Sequence, residues 1–276
     1  MVWRRMIVTP DYLIVMLIPI ALLAGVQRFL VDWVPFVTLL LLWEAMRGIA
    51  PLLDMPVHYG GLDWDQRLFG GEVPTLILQG WINHGTLGWI VNNAATITYL
   101  LHFPFTLGIG VILWSVDRPR FLQYAATLLG MAAVAFLFFL LFPTAPPWYA
   151  AEHGLLPGMQ HIFATTFPST LSPYYSALNP NPVAAVPSLH AAFPFLGYLV
   201  LRDRLKAVSR VALAWCFAVW FCVVYLGEHY VLDVMAGILL ARASWAIFTS
   251  WIAPRVASFQ HRAGPAGEVA QQPLVA

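Results

Sequence analysis

The sequence predicts an all-α, polytopic membrane protein with a six-helix transmembrane core. Of its 276 residues, 60% are hydrophobic and only 10% are charged, whereas soluble domains are about one quarter charged. The apolar residues fall into runs close to the length that a membrane-spanning helix needs, about 20 residues. The net charge is only +1, and no basic, aromatic-rich stripe indicates a nucleic-acid partner. The expected surroundings are therefore a lipid bilayer.

Seven apolar runs follow one another along the chain. Residues 54–86, which separate the second run from the third, are rich in Gly, Pro and charged residues. They predict an interfacial segment with a short helix near Thr75–Asn83. The chain thus divides into N-terminal membrane and interfacial segments (1–86), a membrane core (87–252) that carries the motifs described below, and a disordered tail (253–276). The seven runs are 12–30, 35–53, 87–115, 121–142, 188–201, 211–226 and 229–251.

The longest connection in the core, residues 143–187, contains nine prolines and little periodicity. A loop of this length is usually either functional or disordered. Because it joins two elements that carry histidine motifs, we expect a functional loop that forms a lid or rim over a site.

Basic residues predict the orientation of the core. The connector 202–210 holds four basic residues, and the connector 117–120 holds two. The positive-inside rule places both connectors on the cytoplasmic face. Counting spans outward from them puts the proline-rich loop, His190 and His229 together at the extracytoplasmic edge. The plasma membrane is the expected location.

Charged residues in the N-terminal runs leave two questions open. If both runs span the membrane, Arg4 and Arg5 lie outside the cell, against the positive-inside rule. We therefore expect six full spans and an additional N-terminal apolar segment that inserts only partly. Within the second run, Glu44 and Arg47 are three residues apart, so they either pair with each other or bind an anionic substrate.

Two short motifs place histidines at the start of predicted spans. Pro187–His190 opens one span, and Gly227–Tyr230 opens the last, with Asp233 four residues after His229. On a helix, residues four apart share one face. Two imidazoles and a carboxylate at one membrane edge suit nucleophilic chemistry, in which one imidazole attacks and the other transfers the leaving group's proton. The start of the helix after Pro187 also suits a phosphate, because helix N-termini offer unpaired N–H groups.

A phosphate ester presented at this edge would react in two steps. His229 would attack phosphorus and form a phosphohistidine, and Asp233 would fix the tautomer of His229. His190 would protonate the leaving oxygen and then deprotonate the acceptor. Water as the acceptor would make the protein a phosphatase, and a lipid or polyol hydroxyl would make it a transferase. The same residues serve both reactions.

Three stretches resemble the type-2 phosphatidic acid phosphatase superfamily, and within it the branch of fungal inositol phosphorylceramide synthase and its bacterial relatives. The resemblance covers residues 87–251, and it implies a six-helix membrane core, metal-independent catalysis and an extracytoplasmic or lumenal site. It also implies that His229 is the nucleophile, Asp233 its partner and His190 the acid and base. The three stretches are Phe142–Trp148, Ala185–Ala192 and Tyr225–Gly237.

The chain departs from the phosphatases of this superfamily in its charged motifs. Pro-Thr-Ala-Pro-Pro-Trp stands in the place of their Lys–Arg-Pro motif, and the apolar pair Cys222 and Val223 replaces their Ser-Arg. A phosphate monoester carries nearly two charges and needs strong neutralisation, whereas a diester carries one. The departure therefore favours a phosphodiester donor, although a cation from the first 102 residues could still supply charge. The candidate substrate contacts are Ser188, Leu189, Arg47, His102, Trp148 and Tyr230, and further candidates for the missing charge are Arg67, His58 and His84.

Four functions remain open at this point. The first is a lipid phosphotransferase that moves a phospho-headgroup, with phosphoinositol as one candidate, between lipids. The second is a lipid phosphate or diphosphate phosphatase, and the third is a metalloenzyme in which His190, His229 and Asp233 bind a divalent ion. The fourth is a non-catalytic lipid transporter. The sequence has no cofactor signature, and the expected partners are a phospholipid or other lipid phosphoester and a lipid or polyol hydroxyl acceptor.

Overall fold

The structure, a computed structural model, describes residues 26–166 and 181–256. These ranges are mostly helical. They contain two isolated β-bridges, which pair Thr144 with His58 and with Ala184. The helices are α1 (Val26–Met46), a 3-10 helix (Arg47–Leu53), α2 (Gly60–Leu68), α3 (Pro74–Ile82), α4 (Gly85–Val116), α5 (Arg118–Leu141), α6 (Pro147–Glu152), α7 (Ile162–Thr166), α8 (Leu189–Leu201), α9 (Lys206–Tyr225), α10 (Val231–Ile247) and a π-helical turn (Phe248–Ile252).

Five helical stretches in these ranges are long and apolar enough to cross a membrane. A sixth, α8, is apolar but shorter. They correspond to the six predicted runs from 35–53 onward, so the prediction of a polytopic, all-α membrane protein is confirmed. The predicted short helix near Thr75–Asn83 is α3. The five longer stretches are Val26–Leu53, Gly85–Val116, Arg118–Leu141, Lys206–Tyr225 and Val231–Val256.

The predicted boundary between the first two apolar runs is wrong. α1 continues without a break through residues 31–34. Asp32 lies in that predicted gap, but it is buried because the Arg118 guanidinium contacts both of its carboxylate oxygens at 2.6 Å. Trp114 Nε1 also donates to it at 2.8 Å. A carboxylate paired in this way does not end a membrane helix. The rest of the first run, residues 12–25, lies outside the described residues, so the additional N-terminal segment stays a prediction.

Two regions predicted to be irregular contain helix. α6 and α7 form within the proline-rich loop, of which residues 167–180 lie outside the described part of the chain. At the end of the core, the last span continues to Val256. The first four residues of the predicted tail, 253–256, are therefore helical, and the remainder of the tail lies outside the described residues.

The helix α8 occupies the centre of the bundle. It packs against α4, α5, α9 and α10, and ten of its thirteen residues are buried. A helix of this length is about 20 Å long, shorter than the roughly 30 Å hydrocarbon core of a bilayer. At least one end of α8 therefore lies within the apolar layer, and its N-terminal end carries His190.

Candidate active site

His229 lies in the turn between α9 and α10, where Gly227 has a φ of +81°. The residue at this position must be glycine, because the left-handed conformation is strained for other residues and a Cβ would collide with Met159. His229 thus precedes α10 rather than lying on its first turn, contrary to the prediction. It still faces Asp233, the third residue of α10, with 3.4 Å between His229 Nδ1 and Asp233 Oδ2.

Asp233 is completely buried. Its Oδ2 accepts a hydrogen bond from the Tyr230 N–H at 2.9 Å, which fixes the start of α10. The contact with His229 is longer than an ideal hydrogen bond, as catalytic contacts often are before substrate binds. A hydrogen bond from His229 to Asp233 would require the proton on Nδ1 and would leave the lone pair on Nε2.

His190 meets His229 directly. His190 Nδ1 and His229 Nε2 are 3.0 Å apart, a hydrogen bond between residues 39 positions apart in the chain. Because His229 Nε2 carries the lone pair when Nδ1–H faces Asp233, His190 Nδ1 is the donor. The contact therefore brings together two imidazoles that could act as a nucleophile and as a general acid or base.

Two side chains of α4 line the other face of the His190 ring. Tyr99 stacks on it with ring centroids 4.5 Å apart, and the His102 ring is 4.2 Å away. His102 Nδ1 donates to the Tyr99 carbonyl at 2.6 Å. These contacts leave His190 few rotamers, so they hold the imidazole towards His229.

Backbone hydrogen bonds from the Phe142–Trp148 stretch join the two histidine motifs. The Ala185 N–H donates to the Thr144 carbonyl at 3.2 Å, and the Val186 N–H donates to Thr144 Oγ1 at 2.9 Å. At the other end of the stretch, the Trp148 N–H donates to the Gly227 carbonyl at 3.0 Å. The proline-rich stretch therefore fixes the approach to α8 and the turn before His229 at the same time.

Arg47 is the described cation with the clearest connection to this cluster. It lies close enough to His102 and His190 for its charge to act on both imidazoles. Its Nη1 pairs with Glu44 at 2.8 Å, while its Nε is buried without a hydrogen-bond partner in the described part of the chain. The ion pair with Glu44 occupies only one nitrogen of the Arg47 guanidinium. Arg47 can therefore pair with Glu44 and still bind an anionic substrate, so both predictions remain open.

The remaining candidates for the missing charge are placed differently. Arg67 is exposed and lies over the Trp64 ring, 5.9 Å from its centroid. His58 joins the Phe142–Trp148 stretch through its backbone. His84 is exposed and bonds the Gly80 carbonyl. None of these three has a contact with His190 or His229 among the interactions of the described residues.

Three predicted substrate contacts have structural partners. Ser188 is fully buried and caps α8, its Oγ accepting from the Ala191 N–H at 3.3 Å. Leu189 packs in the main hydrophobic core. The Tyr230 ring is fully buried against Gly61 of α2. The role of these three residues as substrate contacts stays a prediction. Their contacts within the protein help to position the two histidine motifs.

Sequence reasoning missed three polar residues beside the site. Asp65 of α2 is fully buried and accepts hydrogen bonds from the Val231 and Leu232 N–H groups at 3.0 and 3.3 Å, at the start of α10. Burial raises the pKa of Asp65 to about 6. Glu228 pairs with His161 at 2.9 Å. No local signal could have found these contacts, since the partners are 67 or more positions apart.

No group of three His, Cys, Asp or Glu side chains in the described ranges has the arrangement of a metal site. His190, His229 and Asp233 lie in a row, joined by successive contacts, rather than converging on one point. A row of this kind can relay a proton or orient a nucleophile.

Comparison with known proteins confirms the resemblance. The family model of the PAP2 superfamily matches residues 62–247. The phosphoinositol dihydroceramide synthase of Bacteroides thetaiotaomicron is 28% identical over 243 residues, which cover 80% of this chain and 77% of that protein. No solved structure matches the chain.

Two fungal proteins are also similar. The catalytic subunit of inositol phosphorylceramide synthase of Schizosaccharomyces pombe is 27% identical over 63% of this chain and 42% of its own length. The inositol phosphorylceramide synthase of Candida albicans is 25% identical over 51% of this chain and 32% of its own length. The chain thus spans less than half the length of the fungal relatives.

Proposed function

This chain belongs to the PAP2 superfamily, and we propose that it transfers a phosphoinositol headgroup from a phospholipid to the hydroxyl of a ceramide-class lipid. The class of reaction, lipid phosphotransfer, is that of its relatives. The headgroup and the acceptor are proposed because the names of all three relatives contain inositol and a ceramide. A phosphatase is less favoured, since none of these relatives is named as one.

The observation that carries the mechanism is the contact between His190 Nδ1 and His229 Nε2. It joins His190 of α8 to His229 in the turn before α10, and Asp233 contacts the other ring nitrogen of His229. A bound phosphodiester would replace the hydrogen bond between the two imidazoles, so that phosphorus meets the lone pair of His229. The leaving oxygen would then lie within reach of the His190 proton.

The proposed reaction has two balanced steps. First, His229 Nε2 bonds to phosphorus, the bond from phosphorus to the diacylglycerol oxygen breaks, and His190, which enters this step as an imidazolium, protonates that oxygen. Neutral His190 then takes the proton of the acceptor hydroxyl, whose oxygen attacks phosphorus as the bond to His229 breaks. Asp233 stabilises the charge that His229 develops in the first step. Both histidines end in their starting protonation states, and the headgroup has moved between lipids.

A phosphodiester fits the charge of the site. Besides the proton of His190, the described cation connected to the imidazoles is Arg47, which shares its charge with Glu44 and so supplies less than a full positive charge to a phosphate. We propose that the buried Arg47 Nε and the N-terminus of α8 bind the single negative charge of the diester. A monoester with nearly two charges would need a second cation.

The proposed site faces the extracytoplasmic side. The basic connectors that contain Arg118 and Arg202 lie at one end of α5 and α8. Thr144 and His190 lie at the other end of these helices. The positive-inside rule assigns the basic connectors to the cytoplasm. Accessibility of a cysteine introduced at exposed Glu152 to an impermeant thiol reagent, in intact cells, checks this orientation. Labelling only after lysis would reverse it.

The test of the function is a product assay on purified protein in detergent, with EDTA present. Phosphatidylinositol labelled in its inositol is supplied with and without ceramide. We expect a labelled sphingolipid phosphodiester only when ceramide is present, and its loss in His229→Ala and His190→Ala. The exposed His84 provides a matched control, and His84→Ala should retain activity. Vanadate, which mimics the pentacoordinate phosphoryl species, should inhibit.

Each other outcome identifies an alternative. Soluble inositol phosphate or free phosphate, released whether or not ceramide is present, would mean hydrolysis. Activity that EDTA removes and a divalent ion restores would mean a metalloenzyme. Normal turnover by His229→Ala would refute the proposed nucleophile, and no turnover by the wild type on any phospholipid would favour the transporter.

A further inference from the structure

A second carboxylate lies beside the nucleophile, and the proposed mechanism does not use it. Glu228 immediately precedes His229, so their Cα atoms are about 3.8 Å apart. Its side chain is only 5% exposed. Because Asp233 already faces His229 Nδ1, the orientation of the nucleophile does not require Glu228. A buried carboxylate is unfavourable unless it is paired, so its place here calls for a ligand or a partner.

The partner in the structure is His161, from the proline-rich loop. His161 Nε2 lies 2.9 Å from Glu228 Oε1. The ring of His161 stacks on Trp148, with ring centroids 5.0 Å apart and planes within 5° of parallel. A carboxylate, an imidazole and an indole from three separate stretches therefore meet next to the nucleophile. We call Trp148, His161 and Glu228 the loop cluster.

The loop cluster also adjoins His190. Two residues after His161, Phe163 packs on Tyr99 with ring centroids 4.8 Å apart. Tyr99 in turn stacks on His190. The segment 161–163 thus reaches from Glu228, beside the nucleophile, to the aromatic residues that support the acid. A phosphodiester bound at the two histidines would therefore have this segment among its neighbours.

The chemistry of the loop cluster excludes phosphate as its ligand. A carboxylate repels a phosphodiester and would weaken the binding of a phosphate that contacts it directly. A carboxylate accepts hydrogen bonds from hydroxyl groups, however, and an imidazole can donate or accept one. His161 and Trp148 are both partly exposed, so they can contact a ligand while Glu228 stays shielded. Shielding strengthens the hydrogen bonds that the carboxylate makes.

We propose that the loop cluster is the headgroup subsite, in which Glu228 and His161 bind the hydroxyls of a polyhydroxylated ring attached to the transferred phosphate. This proposal rests on the proposed function and names the residues that select the headgroup. A cationic headgroup such as choline fits less well, because the stacked His161 ring covers one face of Trp148. Choline also has no hydrogen-bond donor to exchange with the Glu228–His161 pair.

The test measures the binding of soluble headgroups by isothermal titration calorimetry, so it does not depend on turnover. The probes are glycerophosphoinositol and glycerophosphocholine, two phosphodiesters that differ only in the headgroup. We expect the wild type to bind the inositol compound more tightly. Glu228→Gln should weaken binding of the inositol compound about 10- to 100-fold, the value of a hydrogen bond to a charged group. Binding of the choline compound should not weaken, and loss of the negative charge beside its phosphate should if anything tighten it.

Two further variants keep the test decisive. Glu152 is an exposed glutamate of the same loop region, and Glu152→Gln should bind both probes as the wild type does. His161→Gln retains a hydrogen-bonding group near Glu228 but loses the ring, and it should reduce the preference for the inositol compound. This variant replaces Glu228→Gln in the test if Glu228→Gln cannot be purified. Equal weakening of both probes would assign Glu228 a structural role and overturn the proposal.

Other results would also overturn the proposal. These are tighter binding of the choline compound by the wild type, and no binding of either probe. Failure of the proposed function is seen separately, in the product assay on the wild type. An enzyme that transfers a headgroup through His229 but shows no headgroup preference in these titrations would keep its function and lose this subsite.

Discussion

The close approach of α10 to the start of α8 sets the distance between the two histidines. Gly237 of α10 faces the Ser188 carbonyl, and an added Cβ would lie 3.1 Å from the carbonyl carbon and 3.3 Å from Ala191 Cβ. It would overlap the Ser188 carbonyl oxygen itself. The Ser188 N–H also donates to the Asp233 carbonyl at 3.0 Å. The replacement of Gly237 by alanine therefore perturbs the contact between the two motifs.

The magnitude follows from this overlap. Carbon and carbonyl oxygen approach to roughly 3.3 Å, so one helix must move by about 1 Å to admit the methyl group. Because the obstacle is backbone, no side-chain rotation can relieve it. Overpacking of this kind lowers the free energy of unfolding by about 1–3 kcal/mol. The better helix propensity of alanine offsets about 0.5–1 kcal/mol of that loss. The protein should therefore fold with modestly lower stability.

Activity should fall further than stability. His190 is two residues after Ser188, so a shift of α8 changes the 3.0 Å distance between His190 and His229. A misplacement of about 1 Å in a reacting pair costs roughly 100-fold in rate. We expect Gly237→Ala to reduce turnover about 100-fold, with a small decrease in melting temperature in detergent. The measurements are the ceramide-dependent product assay and thermal unfolding.

Two glycines provide matched controls. At Gly130 of α5 an added Cβ meets nothing within 4 Å, so Gly130→Ala should leave turnover unchanged and should not lower the melting temperature. At Gly197 of α8 it meets only the tip of the Ile109 side chain, which can rotate away. Gly197→Ala should therefore cost some stability and little activity. Turnover by folded Gly237→Ala within about threefold of wild type would refute the idea that this helix contact sets the histidine pair.

Three more predictions concern charged residues of the site. Asp233→Asn keeps an acceptor for the Tyr230 N–H but no longer fixes the tautomer of His229. Turnover should therefore fall by about 10⁴-fold, while the melting temperature stays near normal. Near-normal turnover would remove Asp233 from the mechanism. Arg47→Gln should raise KM for the phosphodiester donor about 10-fold, the value of one charged hydrogen bond, and an unchanged KM in the product assay would assign the phosphate to other groups. Burial raises the pKa of Asp65 above its unfolded value to about 6, so the folded protein binds more protons there between about pH 4 and pH 6. The contribution of this group to stability is therefore largest below pH 4 and declines as the pH rises to 6. Asp65→Asn should remove that part of the pH dependence of the melting temperature, and identical pH profiles would refute the assignment.

Features set by neighbouring residues were predictable from the sequence. The length and composition of the apolar runs predicted the spans, because a bilayer imposes one length on every helix that crosses it. The start of α8 was predictable because Pro187 and Ser188 are a proline and a capping residue in succession. The proximity of His229 and Asp233 was predicted correctly but for the wrong reason. They meet across the start of α10, not along one helical face.

Features set by distant pairing were not predictable. Asp32 was part of a predicted gap, and its burial depends on Arg118, which is 86 positions away. The pairing of Glu228 likewise depends on His161, which is 67 positions away, and the hydrogen bond of Asp65 depends on Val231, which is 166 positions away. The sequence offered several cations for the missing phosphate charge. Only the tertiary arrangement connects one of them, Arg47, to the imidazoles.

The charges around the site fit a transferase better than a hydrolase. Arg47 is partly neutralised by Glu44, while Glu228 and Asp65 place two carboxyl groups next to the turn and the helix start that hold the nucleophile. Such a site disfavours the binding of doubly charged phosphate monoesters, which are the substrates of a phosphatase. A singly charged diester meets less repulsion, and the hydroxyls of its headgroup can donate hydrogen bonds to Glu228. Exclusion of monoesters and recognition of the headgroup would then have one physical cause, a carboxylate directly before the nucleophile.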